Sequence, residues 1–517
     1  MYARILCAAT SGIDGQLIEV EADVASGLPQ VTIVGLPDSS IRESTERVRT
    51  AIRNCGFEFP LARVTVNLAP ADLRKEGSSF DLAIAIGILV ASGQIASTTL
   101  AAELYIGELS LDGMTKPVAG ILSMVHAAKE RGIRSIAVPA DNEEEARLIN
   151  GVNIVGVRSL TAAVKPDTAQ ENRAHSPSIA TTHSDITLRD APSADFSEVQ
   201  GQMQAKRAIT IAAAGMHNVL LIGPPGSGKT MLLRRLPSIL PPLSDDEALE
   251  VMKIYSVSGL YIKGSGLWRD RPFRSPHHTI SYAGILGGGP VPKPGEVSLA
   301  HRGVLFLDEL PEFSRQVLEV LRQPLEDRFV TIARAKATIR YPTSFLLAGS
   351  MNPCPCGYSG VSSSVSARCV CSPLVINRYR NKLSGPLLDR IDLHMEVPAV
   401  DFGELTDAAG TNGALSSEAM RLAVEKAHRV QQERYRGMTI RFNSELSGSS
   451  LRRYCEVPNE AMQLLKQSFE FLGLSARALD RILKIGRTIA DLEGAVHIET
   501  KHIAEAIHYR VLDRKSG

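Results

Sequence analysis

Eight residues, Gly223-Pro224-Pro225-Gly226-Ser227-Gly228-Lys229-Thr230, follow directly on the apolar run Val219–Ile222. No other stretch restricts the fold so tightly. A glycine-rich turn between a buried strand and a helix exposes successive backbone N–H groups, and these can surround polyphosphate oxygens. Lys229 adds a flexible positive charge for the β- and γ-phosphates, and the Thr230 hydroxyl can ligate Mg²⁺. The helix-compatible Met231-Leu-Leu-Arg-Arg-Leu completes a strand–loop–helix unit. The chain is therefore read as an α/β protein that binds a nucleoside triphosphate, with all eight residues as contacts.

A second apolar strand ends in acid, Gly303-Val-Leu-Phe-Leu-Asp308-Glu309. A buried parallel strand can deliver carboxylates to a phosphate site at its C-terminal end. Asp308 would hold Mg²⁺, and Glu309 would polarise the attacking water. A core strand ending in a solvated acidic turn is the plainer alternative. Phe345-Leu-Leu-Ala-Gly-Ser-Met-Asn352-Pro is a third such run, where Asn352 either orients water as a γ-phosphate sensor or merely makes an Asn-Pro turn. Arg390, in Leu387-Leu-Asp-Arg-Ile-Asp392, and Arg477, in Leu474-Ser-Ala-Arg, stand where a ring ATPase places catalytic arginines. A lone helical arginine is more often a solvated ion-pair partner, so both roles depend on the complete motif order.

Four of the seven cysteines fall within Cys354–Cys371. The pairs Cys354/Cys356 and Cys369/Cys371 suit a tetrahedral, structural Zn²⁺, with reduced free thiols as the alternative. Between Lys229 and Asp308 the chain is longer than a minimal nucleotide core needs. Gly284–Gly295, which carries Lys293, reads as a glycine/proline loop. Phe329–Arg340 reads as two alternating strands around a turn bearing Arg334 and Lys336. Lys293, Arg334 and Lys336 are the candidate DNA contacts; an ordinary hairpin with solubilising charges is the competing reading. Charge makes this local. A net charge of +1 over 517 residues gives no global attraction to nucleic acid, so a basic surface has to be concentrated, for example inside a ring.

The length predicts about two to four domains, and 44% hydrophobic with 22% charged residues describes a globular protein. The longest apolar run, Leu82–Ala91, is too short to span a bilayer, and no secretory segment is read at the start. A cytoplasmic setting without membrane contact is expected. Residues 1–165 alternate short β runs (Gln30–Val34, Arg63–Asn67) with helical ones (Ser39–Asn54, Phe80–Ser92, Ile121–Arg131). Residues 166–195 read as a flexible linker, 196–405 as the ATPase core and 406–517 as a helical lid, with helices at Ser416–Arg434 and on either side of Gly473.

The motif order resembles that of the AAA+ superfamily. More narrowly, Phe273-Arg-Ser-Pro-His-His-Thr, Pro294–Glu309, Ser350-Met-Asn-Pro-Cys-Pro-Cys-Gly and Ser384–Leu393 resemble the ComM (YifB) family of magnesium-chelatase-like ATPases. That resemblance implies a Walker A motif at Gly223–Thr230, Walker B at Asp308–Glu309, sensor 1 at Asn352, an arginine finger at Arg390 and sensor 2 at Arg477. It implies ATP and Mg²⁺ as cofactors and a homohexamer moving on single-stranded or branched DNA. Branch migration in natural transformation would be its task, with recombinase and competence proteins as partners. The alternative is a metal-insertion ATPase of the chelatase kind, or a chaperone-like adaptor. Glu76–Ala85 and Tyr105–Leu122 resemble the proteolytic domain of Lon, a ribosomal-S5-like α/β fold. Ser79 falls at the nucleophile, but Leu122 replaces the activating lysine, which implies a non-proteolytic relative serving as a DNA-side or partner-binding collar.

Overall fold

A computed structural model describes residues 1–72, 75, 77–165, 195–289, 292–334, 337–360, 369–399, 415–510 and 512. The expected linker, Lys336 and the 405/406 boundary lie outside the described residues, and Arg334 is described in its backbone alone. The chain divides into two compact units, 1–186 with 245–268, and 187–244 with 269–517.

The first unit is built on a long antiparallel hairpin. Tyr2–Ser11 pairs with Asp14–Ala25 along its whole length, from Tyr2↔Asp23 to Ser11↔Asp14. The two strands sit inside a seven-stranded mixed sheet ordered Gln30–Val34, Arg63–Ala69, Asp14–Ala25, Tyr2–Ser11, Leu104–Tyr105, Ser135–Pro139, Asn153–Val157. Helix Asp81–Ala91 is apolar nearly all round and almost wholly buried, as a core helix must be. Helix Ser39–Asn54 starts where the Asp38 carboxylate accepts from the Ile41 N–H at 2.9 Å. Ser79 and Leu122 are both buried.

Asp245–Trp268 belongs to this unit, although its place in the sequence, between Lys229 and Asp308, predicts a position within the ATPase core. Helix Asp245–Ser258 packs on helix Ile121–Glu130, and the Gly120 N–H donates to the Ser256 carbonyl at 3.1 Å. Lys263 pairs with Asp141 at 2.8 Å, and the Gly264 N–H donates to Glu144 at 2.7 Å. Trp268 closes the excursion, buried edge-on against Tyr255 with ring centroids 4.9 Å apart. Amphipathic periodicity shows that such a helix has a buried face, but not which domain covers it.

The second unit carries a five-stranded sheet ordered Phe273–Arg274, Val304–Leu307, Leu346–Met351, Val219–Ile222, Leu393–Glu396. All four pairings are parallel. Strands of this kind are covered on both faces, which explains why Val-Leu-Leu-Ile and Val-Leu-Phe-Leu are buried at every position. Val219–Ile222 has the last two strands among the described residues as its neighbours, so the connection order reverses beside it. That is where an open α/β sheet forms its ligand crevice. The C-terminal helices, among them Ser417–Arg434, Asn459–Leu472 and Ala476–Glu493, share one hydrophobic core with the sheet rather than forming a body of their own. Among the described residues no helix is long and apolar enough to cross a membrane.

Candidate nucleotide site

Gly223–Gly228 turn out of strand Val219–Ile222 into helix Lys229–Arg234 at the carboxyl edge of the parallel sheet. Gly228 takes the left-handed conformation (φ 85°) at the helix start, which side chains other than glycine rarely adopt. Lys229 folds back into the turn. Its Nζ donates to the carbonyl oxygens of Gly223 and Pro224, each at 2.8 Å, and to Asn352 Oδ1 at 3.3 Å. Burial pushes the Lys229 pKa down, while the Asp308 and Glu309 carboxylates act to raise it. Thr230 Oγ1 donates to Asp308 Oδ2 at 3.0 Å. Lys229, Thr230, Asp308 and Asn352 therefore converge on the loop, as their positions in the sequence suggested.

Two features of this cluster were not read from the sequence. Ser350 is buried and its hydroxyl donates to Asp308, while the Glu309 N–H donates to the same hydroxyl at 3.2 Å. Glu309 itself is in the left-handed region (φ 52°), a strained conformation for a non-glycine residue. Ser350 thus fixes both carboxylate residues at once. A serine ending a buried strand carries no distinctive pattern, and only the parallel register of Val304–Leu307 with Leu346–Met351 brings it beside Asp308.

The loop fits a polyphosphate. The Ser227 hydroxyl is buried without a hydrogen-bond partner among the described residues, and the Lys229 ammonium is satisfied only by carbonyl oxygens that a phosphate can replace. Gly357 presses on the loop from the cysteine side, where a Cβ would meet Pro225 Cδ at 2.4 Å. The four thiols lie within 4.8 Å of one another, with Cys354–Cys356 at 3.3 Å, Cys356–Cys369 at 3.6 Å and Cys354–Cys369 at 3.9 Å. Ligands about 2.3 Å from a tetrahedral Zn²⁺ are about 3.8 Å apart, so the donor set fits that ion. The Tyr358 backbone, with Cys354 second, lowers the Cys356 pKa to about 6, and the Ser359 N–H donates to Cys354 Sγ at 3.3 Å.

Arg390 and Arg477 do not join the loop cluster. In the sheet, Val219 pairs with Leu393 and Ile222 with Glu396, in parallel. The phosphate loop leaves one end of these strands and Arg390 enters at the other. Four residues of strand, roughly 13 Å, lie between them. Arg390 is 8% exposed, pairs with Glu326 and donates to the Pro386 carbonyl at 2.7 Å. Arg477 stands beside it, 3.8 Å from the Asp389 carboxylate and 60% exposed. Arg481 from the same helix meets Asp392 at 2.6 Å, and His217 meets that carboxylate at 3.1 Å. Burial acts to raise the Asp392 pKa, but Arg481 and His217 hold it below the ordinary carboxylate range.

The two expected hairpins pack together. Phe329–Arg334 pairs with Ala337–Pro342, and Gly287–Gly288 with Lys293–Pro294. Tyr341 Oη donates to the Pro292 carbonyl at 2.7 Å, while Arg340 lies over the Phe329 ring. Lys293 is exposed.

This sheet order, the loop and the acidic strand define a P-loop ATPase of the magnesium-chelatase-like AAA+ type. Family models agree. Residues 195–405 match "Magnesium chelatase, subunit ChlI", residues 20–142 "Subunit ChlI of Mg-chelatase" and residues 414–510 "Magnesium chelatase, subunit ChlI C-terminal". The chain is 42% identical over 515 residues to competence protein ComM of Haemophilus influenzae, covering 99% of this chain and 97% of that one. It is also 42% identical to the uncharacterized protein YifB of Salmonella typhimurium, over 98% and 96% of the two chains. A shorter match, 27% identity over 179 residues, links 30% of the chain to 32% of Lon protease 2 of Bacillus subtilis. The chain belongs to the ComM (YifB) family, and that membership implies ATP and Mg²⁺ at the phosphate loop.

Proposed function

We propose that the protein is an ATP-driven ring motor, a homohexamer that moves single-stranded or branched DNA during recombination of incoming strands. The observation that carries this reading is the separation of Arg390 and Arg477 from the loop by the length of the sheet. An arginine held there cannot reach the phosphates of its own chain, but the same face offered to a neighbour completes that neighbour's site. Thr230 and Asp308 would hold Mg²⁺, Lys229 the phosphates, and Asn352 and Glu309 the attacking water. The packed hairpins, with Lys293, Arg334 and Lys336, would face the DNA, and six copies would give the local basic density that the net charge lacks. The competence name of the Haemophilus relative agrees with a task on incoming DNA.

Zinc in the cysteine quartet would be structural, since four protein thiolates leave no open position. The first unit would be a Lon-like collar without peptidase activity, because Leu122 supplies no base for Ser79. The chelatase-type family names favour one competing reading, a metal-insertion ATPase.

One mixing experiment tests the proposal. Glu309→Gln and Arg390→Ala should each abolish ATP-driven strand exchange on a labelled four-way junction. Rings mixed from the two variants should regain part of the hydrolysis, because some interfaces then pair an intact Glu309 with an intact Arg390. A mixture as inactive as its components would rule out the shared site. Hydrolysis by the wild type with no strand movement would favour metal insertion.

A further inference from the structure

A cavity of about 640 Å³ opens on the second unit beside the turn that follows Glu309. Its walls come from that turn and the following helix start (Glu312, Phe313, Arg315) and from the segment after the cysteine quartet (Asn377, Arg378, Lys382). Lys382 is compensated by Glu312 at 3.3 Å. Arg315 and Arg378 are exposed, and among the described residues neither is paired with a carboxylate. The cavity thus carries two guanidiniums outside any ion pair, Arg315 eased by the Glu319 charge one turn along its helix, flanked by the Asn377 amide and lined by the buried Phe313. Guanidiniums bind phosphate oxygens through paired N–H groups, and an amide serves phosphate or base edges equally. An apolar partner would strip water from both charges without replacing it, whereas a phosphate backbone offers each a bidentate partner.

We propose that this cleft is a second binding site for the phosphate backbone of single-stranded DNA, outside the paired hairpins, and that it reports DNA to Glu309. The inference rests on the motor reading. Its route is short, because the Glu312 N–H donates to the Glu309 carbonyl at 2.7 Å and Leu310–Glu312 is a single tight turn. A strand drawn onto Arg315 and Arg378 acts on the two ends of that turn and of the helix behind the cysteines. Glu309, already in a strained conformation, is the residue that follows any movement.

The test uses the full chain and a labelled oligo-dT strand, with binding followed by anisotropy across a salt series. Loss of two phosphate contacts makes the log–log salt slope shallower by about 1.4, and weakens binding about twentyfold at 0.1 M salt. Arg315→Gln with Arg378→Gln should show both changes, and the DNA-stimulated part of ATP hydrolysis should fall with them. Arg315→Lys with Arg378→Lys should retain the slope. Unchanged affinity and slope in the glutamine pair, with the wild type binding normally, would overturn the cleft alone. A wild type that fails to bind the strand would overturn the motor reading itself. If the glutamine pair instead loses nucleotide-dependent assembly while each protomer binds DNA as before, the cleft receives a second copy and the proposal is wrong.

Discussion

Replacing Ser350 with alanine removes one hydroxyl and leaves every element of the sheet in place. That hydroxyl donates to the Asp308 carboxylate and accepts from the Glu309 N–H at 3.2 Å. A hydrogen bond to a charged group contributes about 1.5–3 kcal/mol and a neutral one about 0.5–1.5 kcal/mol. Asp308 keeps its bond from Thr230, so part of the first contribution survives. The second matters more for catalysis, because the left-handed backbone of Glu309 costs about 1–2 kcal/mol and loses one of its supports. A net loss of about 2 kcal/mol in the hydrolytic step corresponds to a fall of about 30-fold in kcat. Lys229 and the glycine turn are untouched, so the affinity for ATP should change by less than about threefold, because their contacts are made equally in both states. Phosphate release at saturating ATP measures the first quantity, and titration with a fluorescent ATP analogue the second. A kcat within twofold of wild type, at normal ATP affinity, would refute the claim that this serine sets both carboxylates.

Gly357→Ala forces a Cβ to within 2.4 Å of Pro225 Cδ at a backbone φ of 88°, so it should push on the phosphate loop. With about 1–2 kcal/mol of strain added, nucleotide affinity should drop about tenfold in the same titration, and unchanged affinity would show the cysteine loop to be independent of the site. Asp81 gives a pH signature. Burial lifts its pKa to about 6 against the opposing effects of Arg47 and the Leu109 N–H. The folded chain then holds a proton that the unfolded one has released, so this contribution is complete below about pH 4 and is lost as pH rises to about 6. It amounts to at most about 3 kcal/mol. Melting profiles of Asp81→Asn and wild type should diverge across that window; parallel profiles would exclude the effect.

Local patterns carried much of this architecture. Ser39–Asn54 was bounded by its periodicity, and Gly473 marked the break between helices Asn459–Leu472 and Ala476–Glu493. The loop, Asp308 and Asn352 were legible because each ends a short, buried and largely apolar run of the kind a buried parallel strand tolerates. Relations between distant segments were not legible. Nothing near Arg390 announces Glu326, and nothing in Ala476–Glu493 announces that Arg481 meets Asp392. Ser350 acquires its role only from register. The same holds for Asp245–Trp268, whose apolar face gives no hint of the helix it covers.

That excursion has a practical consequence for anyone dissecting the gene. The peptide leaves and re-enters through a narrow neck where the Leu243 N–H donates to the Arg269 carbonyl at 2.8 Å. A fragment stopped at residue 165 therefore lacks a helix and a tryptophan that complete its own interior, and it will present the bare side of Ile121–Glu130 to water. Conversely, an isolated nucleotide-binding fragment starting at 195 will carry those same greasy residues with nothing to shelter them. Either half made alone invites aggregation, and inheritance of the two as an inseparable pair follows from how the thread is routed.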